Sequence, residues 1–188
     1  GKGYFRSEVS PDRVHGVSAF DVISGQPRKQ SGIGFSDAFG AALTAYADTD
    51  SSICAVTAAM EAGTGLSMFA QRFPERFFDV GIAEEHAVTM SAGMAVGGLR
   101  PVCAIYSTFL QRGYDQLLHD VAIQQTHVVF AVDRAGLVGE DGQTHQGIFD
   151  VPYLTSVPNM TVLSPSTHAE LQMALRQALY DYDGPVAV

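Results

Sequence analysis

Short apolar runs recur along this chain, each separated from the next by a stretch with helical periodicity, and that alternation restricts the fold more than any other feature. ICAVT (Ile53 to Thr57), VCAIY (Val102 to Tyr106), VVFAV (Val128 to Val132) and the PVAV of residues 185–188 lack polar alternation, as strands covered on both faces do. A short strand ending at Val80 and another near Thr161 to Leu163 complete the set. Helices are predicted near Ser36 to Ala47, Leu66 to Phe73, Glu84 to Val96, Thr108 to Gln124 and Phe149 to Thr155. A last one carries Leu171, Ala174, Leu175, Ala178, Leu179 and Tyr182 on one face. Strand and helix in alternation imply an α/β fold, a mostly parallel sheet with helices on both faces, whose ligands collect beyond the carboxyl ends of the strands. Residues 1–34, rich in Gly and Pro and without sustained periodicity, read as an extended lead-in, and residues 35–188 as the domain proper.

The chain has 188 residues, 46% of them apolar, enough for one sizeable core. Twenty acidic residues against eleven basic ones give a formal charge of -9, so there is no basic field for nucleic acid or an anionic membrane. Cys54 and Cys103 lie in apolar runs with neither a disulfide framework nor metal-ligand spacing, which points to a reducing, cytoplasmic setting. No apolar run reaches transmembrane length, and the first residues lack a signal-peptide core, so a soluble protein is expected.

Chemistry concentrates between Phe78 and Gln116. Glu84 and Glu85 fall in the first turn of a predicted helix, where acids commonly offset the helix dipole. The helix behind them, with Ala87, Val88, Met90, Ala92, Met94, Ala95 and Val96, is apolar or small on nearly every face and is expected to be buried on all sides. Its mouth would then be partly desolvated, a setting for proton transfer. Tyr106 and Phe109, three apart at the next strand-to-helix turn, suit either a core or a stacking platform. Arg112 suits a phosphate or a structural ion pair. The segment from Asp133 to Gly147 has four glycines and no regular pattern, and loops of that length are usually functional or disordered. Arg134, immediately after a strand, offers paired donors to a phosphate.

Four motifs carry a family resemblance: AAMEAGTGL (Ala58 to Leu66), RFPERFFDVGIAEEHAVT (Arg72 to Thr89), YSTFLQRGYDQLLHDVAIQ (Tyr106 to Gln124) and DRAGLVGEDGQTHQGIFD (Asp133 to Asp150). In this order they resemble the central pyrimidine-binding domain of the 1-deoxy-D-xylulose-5-phosphate synthase family, in the thiamine-diphosphate-dependent transketolase superfamily. The resemblance implies a transferase that condenses pyruvate with D-glyceraldehyde 3-phosphate to 1-deoxy-D-xylulose 5-phosphate and CO2, at the start of an isoprenoid-precursor pathway. It implies that Glu84 is the acid contacting N1′ of the cofactor's aminopyrimidine, that Phe109 stacks on that ring, and that Tyr106 faces cofactor or substrate. Glu85 is then structural, and His86 a packing or capping residue. The same resemblance makes Arg134, Asp141 and His145, with Arg112, the acceptor-substrate contacts. His145 would also move a proton. Tyr4 becomes a cofactor contact and His15 an active-site histidine.

The family's metal-binding GDG motif and downstream Asn are not found, since the chain's only Asn is Asn159. Mg2+ ligands are therefore assigned to a missing diphosphate-binding domain, and the carboxy-terminal domain is missing too. The expectation is one fragment of a homodimeric enzyme, inactive by itself. The alternatives are a non-catalytic interaction module of the same fold, or another thiamine-diphosphate ketol transferase or 2-oxo acid decarboxylating relative.

Overall fold

In the computed structural model, which describes residues 2–9, 19–21, 23–24, 26, 32–139 and 142–188, the chain divides into two compact units, residues 1–33 and 34–188. Among the described residues of the first unit, Phe5–Val9 form a short helix, α1. There the Gly3 amide, just outside the helix, donates to Glu8 Oε1 at 2.6 Å.

The second unit begins with α2 (Phe35–Thr49), whose first turn is tied by the Gly34 amide donating to Asp37 Oδ2 at 3.3 Å. β1 (Ile53–Thr57), α3 (Ser67–Arg72), β2 (Phe77–Asp79), α4 (Glu84–Val96) and β3 (Arg100–Tyr106) follow. The chain then coils through α5 (Ser107–Leu110), a 3-10 turn (Gln111–Gly113), α6 (Tyr114–Gln116) and a π-helical turn (Leu117–Ala122). β4 (Val129–Asp133), α7 (Asp150–Ser156), β5 (Thr161–Val162), α8 (His168–Tyr180) and β6 (Val186–Ala187) complete it.

The six strands form one parallel sheet in the order β2-β1-β3-β4-β6-β5. Strand alternation divides the core into two layers. Ala55, Val102, Ala104 and Val129 pack with Phe39, Leu43, Phe69, Leu175 and Leu179 from α2, α3 and α8. Val56, Cys103, Ile105 and Phe130 pack with Val88 of α4, Leu117, Val121 and Leu154 of α7. The fold is thus α/β with helices on both faces. Chain direction across the sheet reverses between β1 and β3, and again where β6 inserts between β4 and β5. Each reversal opens a crevice at the carboxyl edge.

Two expectations change. The helix predicted over residues 108–124 forms as a continuous helical run over residues 107–122, but its winding changes among α, 3-10 and π. A Cβ at position 113 would stand 3.0 Å from Val88 Cγ2, so Gly113 is what lets this segment lie close against α4, and its winding adjusts to keep that approach. The helix predicted to be buried all round is not. α4 buries Glu84, Ala87, Val88, Ser91 and Ala92, while Glu85, His86, Thr89, Gly93 and Val96 are exposed. It lies on one face of the sheet, so only one side of it meets a layer. His86 accordingly points to solvent and is not a packing residue.

Candidate active site

Glu84 opens α4 and is only 4% exposed, whereas Glu85 beside it is exposed. Ala83 precedes the helix without a side-chain cap, so Glu84 is the first polar side chain that the helix start presents. Its Oε1 accepts a hydrogen bond from Arg112 Nη1 in an ion pair spanning 28 residues of sequence. The close approach at Gly113 brings Arg112 within reach. The same guanidinium lies 5.2 Å from the centre of the Phe109 ring. A carboxylate and an aromatic face are therefore both reached by one planar N–H donor.

Phe109 continues the cluster. Its ring lies parallel to Tyr106 at 5.7 Å and 5°, and His145 meets it edge-on at 5.3 Å and 82°. Tyr106 ends β3 in register with Asp133, the last residue of β4, and its hydroxyl lies under Gly63 of the loop after β1. This is the crevice of the first reversal. The Arg134 guanidinium stands 4.9 Å from the Tyr106 ring and 3.9 Å from Asp133 Oδ1. Arg134 has φ 57°, a left-handed conformation that costs a non-glycine residue about 1 kcal/mol. Asp133 holds the turn, accepting from the Arg134 amide at 2.7 Å and from Ser36 Oγ at 2.6 Å.

The structure thus gathers Glu84, Tyr106, Phe109, Arg112, Arg134 and His145 into one chain of contacts. Arg112, which sequence left open between a phosphate and an ion pair, is found in the pair. Tyr4 belongs to the first unit, while His15 and Asp141 lie outside the described residues. A cavity of about 780 Å³ at the second reversal adjoins this cluster through Arg134. Asp133, Arg134, Ser36 and Asp150 line it among apolar side chains, but Glu84, Phe109 and Arg112 do not.

Among the described residues no group of three or more His, Cys, Asp or Glu side chains is placed to hold a metal ion. Burial pushes the Cys54 thiol up to about 11 and the Cys103 thiol up to about 12, so neither is a nucleophile near neutral pH. Two contributors were not read from sequence: Asp133, which anchors the Arg134 turn, and Gln146, whose side chain lies inside the loop that carries His145. A Gln beside a Gly in a long loop was the one available signal for the second.

Residues 31–188 match the family model described as the transketolase, pyrimidine binding domain. The chain is 55% identical over 188 residues to the 1-deoxy-D-xylulose-5-phosphate synthase of Clostridium tetani (strain Massachusetts / E88), and 55% identical to that of Desulforudis audaxviator (strain MP104C). In both cases all of this chain is covered, but it spans only 30% of the relative's length. Among solved structures, a split-gene transketolase described as an inactive beta4 tetramer is similar at 30% identity and a TM-score of 0.73. That likeness covers 83% of this chain and 50% of the other. A transketolase from Leishmania mexicana shares the fold at 21% identity and a TM-score of 0.74, covering 86% of this chain and 25% of its own.

Proposed function

From a chain that belongs to the transketolase pyrimidine-binding domain family, we propose the pyrimidine-recognition part of a thiamine-diphosphate-dependent 1-deoxy-D-xylulose-5-phosphate synthase. The whole enzyme would join pyruvate to D-glyceraldehyde 3-phosphate and release CO2. The observation that carries this reading is Arg112. Its guanidinium, a flat N–H donor bonded to Glu84 and lying over Phe109, presents there what an aminopyrimidine would present. A buried carboxyl group and an aromatic face are the two groups such a ring requires, so the residues fit the cofactor.

When bound, thiamine diphosphate supplies an acidic thiazolium carbon and an electron sink for decarboxylation. Glu84 holds or returns a proton at pyrimidine N1′, and its burial keeps water from competing for that bond. Phe109 offers a ring face, with Tyr106 stacked behind it to fix the plane. Arg112 has to leave both groups as the ring enters. Its side chain is 52% exposed, so it can swing into solvent, and the entering ring takes its place as the partner of the buried Glu84 carboxyl group. Arg112 can then turn to a substrate phosphate together with Arg134, and His145 would exchange a proton with the acceptor aldehyde. Tyr4, His15 and Asp141 are candidates by resemblance alone.

The same reading makes residues 1–34 an interdomain lead-in and residues 35–188 the recognition domain. It assigns Mg2+ and the cofactor's diphosphate to a domain outside this chain, and places the enzyme in the cytoplasm as a homodimer. Among the described residues no helix is long and apolar enough to cross a membrane. The chain by itself is expected to be inactive. Adding a chain that carries a GDG-containing diphosphate-binding domain should restore product formation from pyruvate and glyceraldehyde 3-phosphate. That activity should be lost in Glu84→Gln and kept in Glu85→Gln. Association without activity would instead support an interaction module, and a different product would point to another ketol transferase or decarboxylase.

A further inference from the structure

The loop that carries His145 is closed at its neck. Gly136 and Gly147 exchange backbone hydrogen bonds of 2.7 and 2.8 Å. A Cβ at Gly147 would stand 2.4 Å from the Arg134 carbonyl oxygen and 2.6 Å from Ser107 Oγ, so only glycine closes the neck this tightly. Inside it, one side chain satisfies the backbone. Gln146 Oε1 accepts from the Val138 amide at 2.7 Å, and Gln146 Nε2 donates to the Val138 and Gly142 carbonyl oxygens, both at 2.9 Å. A primary amide is the group that can accept from one partner and donate to two others at once. The next residue back is His145, edge-on to Phe109. Thr144 Oγ1 stands 2.8 Å from His145 Nδ1, and Thr108 Oγ1 donates to the Thr144 carbonyl oxygen at 3.3 Å.

We infer that Gln146 is a positioning residue whose carboxamide fixes the loop so that His145 stays against Phe109. This rests on the reading of His145 and Phe109 as site residues. The three hydrogen bonds of the Gln146 side chain go to backbone, and it acts through the backbone it fills. A glutamate of the same shape would keep the acceptor but turn two donor contacts into oxygen against oxygen. A methionine would keep most of the volume and lose all three bonds.

The test uses hydrogen exchange at the Val138 amide and the NMR shift of the His145 ring protons in the 188-residue chain. The native sequence, Gln146→Glu and Gln146→Met are each measured with and without Phe109→Leu. Val138 exchange should accelerate about tenfold in Gln146→Met, which loses the acceptor, and also in Gln146→Glu, where the acceptor is kept but oxygen-against-oxygen repulsion at Val138 and Gly142 drives the side chain out of the loop. Phe109→Leu should move the His145 resonances in the native sequence and not in the Gln146 variants. Unchanged Val138 exchange, or a His145 signal that still follows Phe109 in those variants, overturns the inference. In the complemented enzyme, Gln146→Glu combined with His145→Ala should be no worse than His145→Ala by itself, because both act through one group. Losses that add overturn it as well. A complemented enzyme with no activity at all refutes the synthase reading instead, and the exchange and NMR results then decide the role of Gln146.

Discussion

Glu84 and His145 both stand at the carboxyl edge of one sheet, but they are held there by different means. Glu84 stands on α4, whose Ala87, Val88 and Ala92 are packed against the sheet and against the coils that carry Arg112. Its place is set by close packing, which resists small displacements. His145 stands on a loop between β4 and α7 whose contacts are mostly single hydrogen bonds from Gln146, Thr144 and Thr108. Each such bond contributes on the order of 1 kcal/mol, so the loop can open locally while the sheet stays folded. A proton at a fixed ring nitrogen calls for the first kind of support. An acceptor that enters and leaves calls for the second.

The largest test of that contrast is Leu117→Ala. Leu117 has no exposed surface and shares a cluster with Val88, so its truncation should cost about 3 kcal/mol in urea unfolding and loosen the Glu84 side first. A loss no larger than that of a loop variant would break the comparison. Next comes Glu84→Gln, which removes the proton-exchanging group and keeps the shape. Activity in the complemented enzyme should fall by about 100-fold or more, with cofactor binding measured separately by fluorescence or calorimetry.

A third prediction concerns the packed layer at high pH. Both cysteines have folded pKa values raised from 9.0, Cys54 to about 11 and Cys103 to about 12, by burial. The folded state therefore keeps protons that the unfolded state releases. This contribution is complete below pH 9 and is lost as pH rises toward the folded values. Between pH 9 and 10 stability should fall by about 1 kcal/mol per thiol, and Cys54→Ala with Cys103→Ala should flatten the curve. At neutral pH a thiol reagent should label neither cysteine until the sheet unfolds. The smallest effect is expected from Thr108→Ala. It removes a 3.3 Å bond to the Thr144 carbonyl and should lower global stability by about 0.5 kcal/mol or less, while exchange near His145 quickens. A global effect as large as that of Leu117→Ala would show that the loop belongs to the core after all.

Much of this arrangement was legible before folding. The runs at Ile53, Val102 and Val128 became β1, β3 and β4, because a strand buried on both faces has to be apolar at consecutive positions. The start of α4 at Glu84 was legible too, from the acids that follow a short strand and a glycine turn. The solvent exposure of α4 was not. Ala, Gly, Ser and Met are compatible with burial on every side, and composition does not say how many layers a helix will meet. The change of winding in the segment after β3 was hidden as well, since Leu110, Leu117, Leu118 and Val121 satisfy a continuous helical face. What alters the winding is the approach of Gly113 to Val88, 25 residues earlier in the chain.

Sequence by itself determined the class of the fold, its family and the candidate groups Glu84, Tyr106, Phe109, Arg134 and His145. Local periodicity, turn residues and motif order are properties of neighbouring positions. Tertiary structure decided that Arg112 pairs with Glu84, that Phe109 lies between Tyr106 and His145, and that Gln146 fills the loop beneath them. These contacts join residues brought together by strand order and by the close passage of backbones. A one-dimensional pattern carries no record of either, because the same apolar runs can be stacked into a sheet in more than one order.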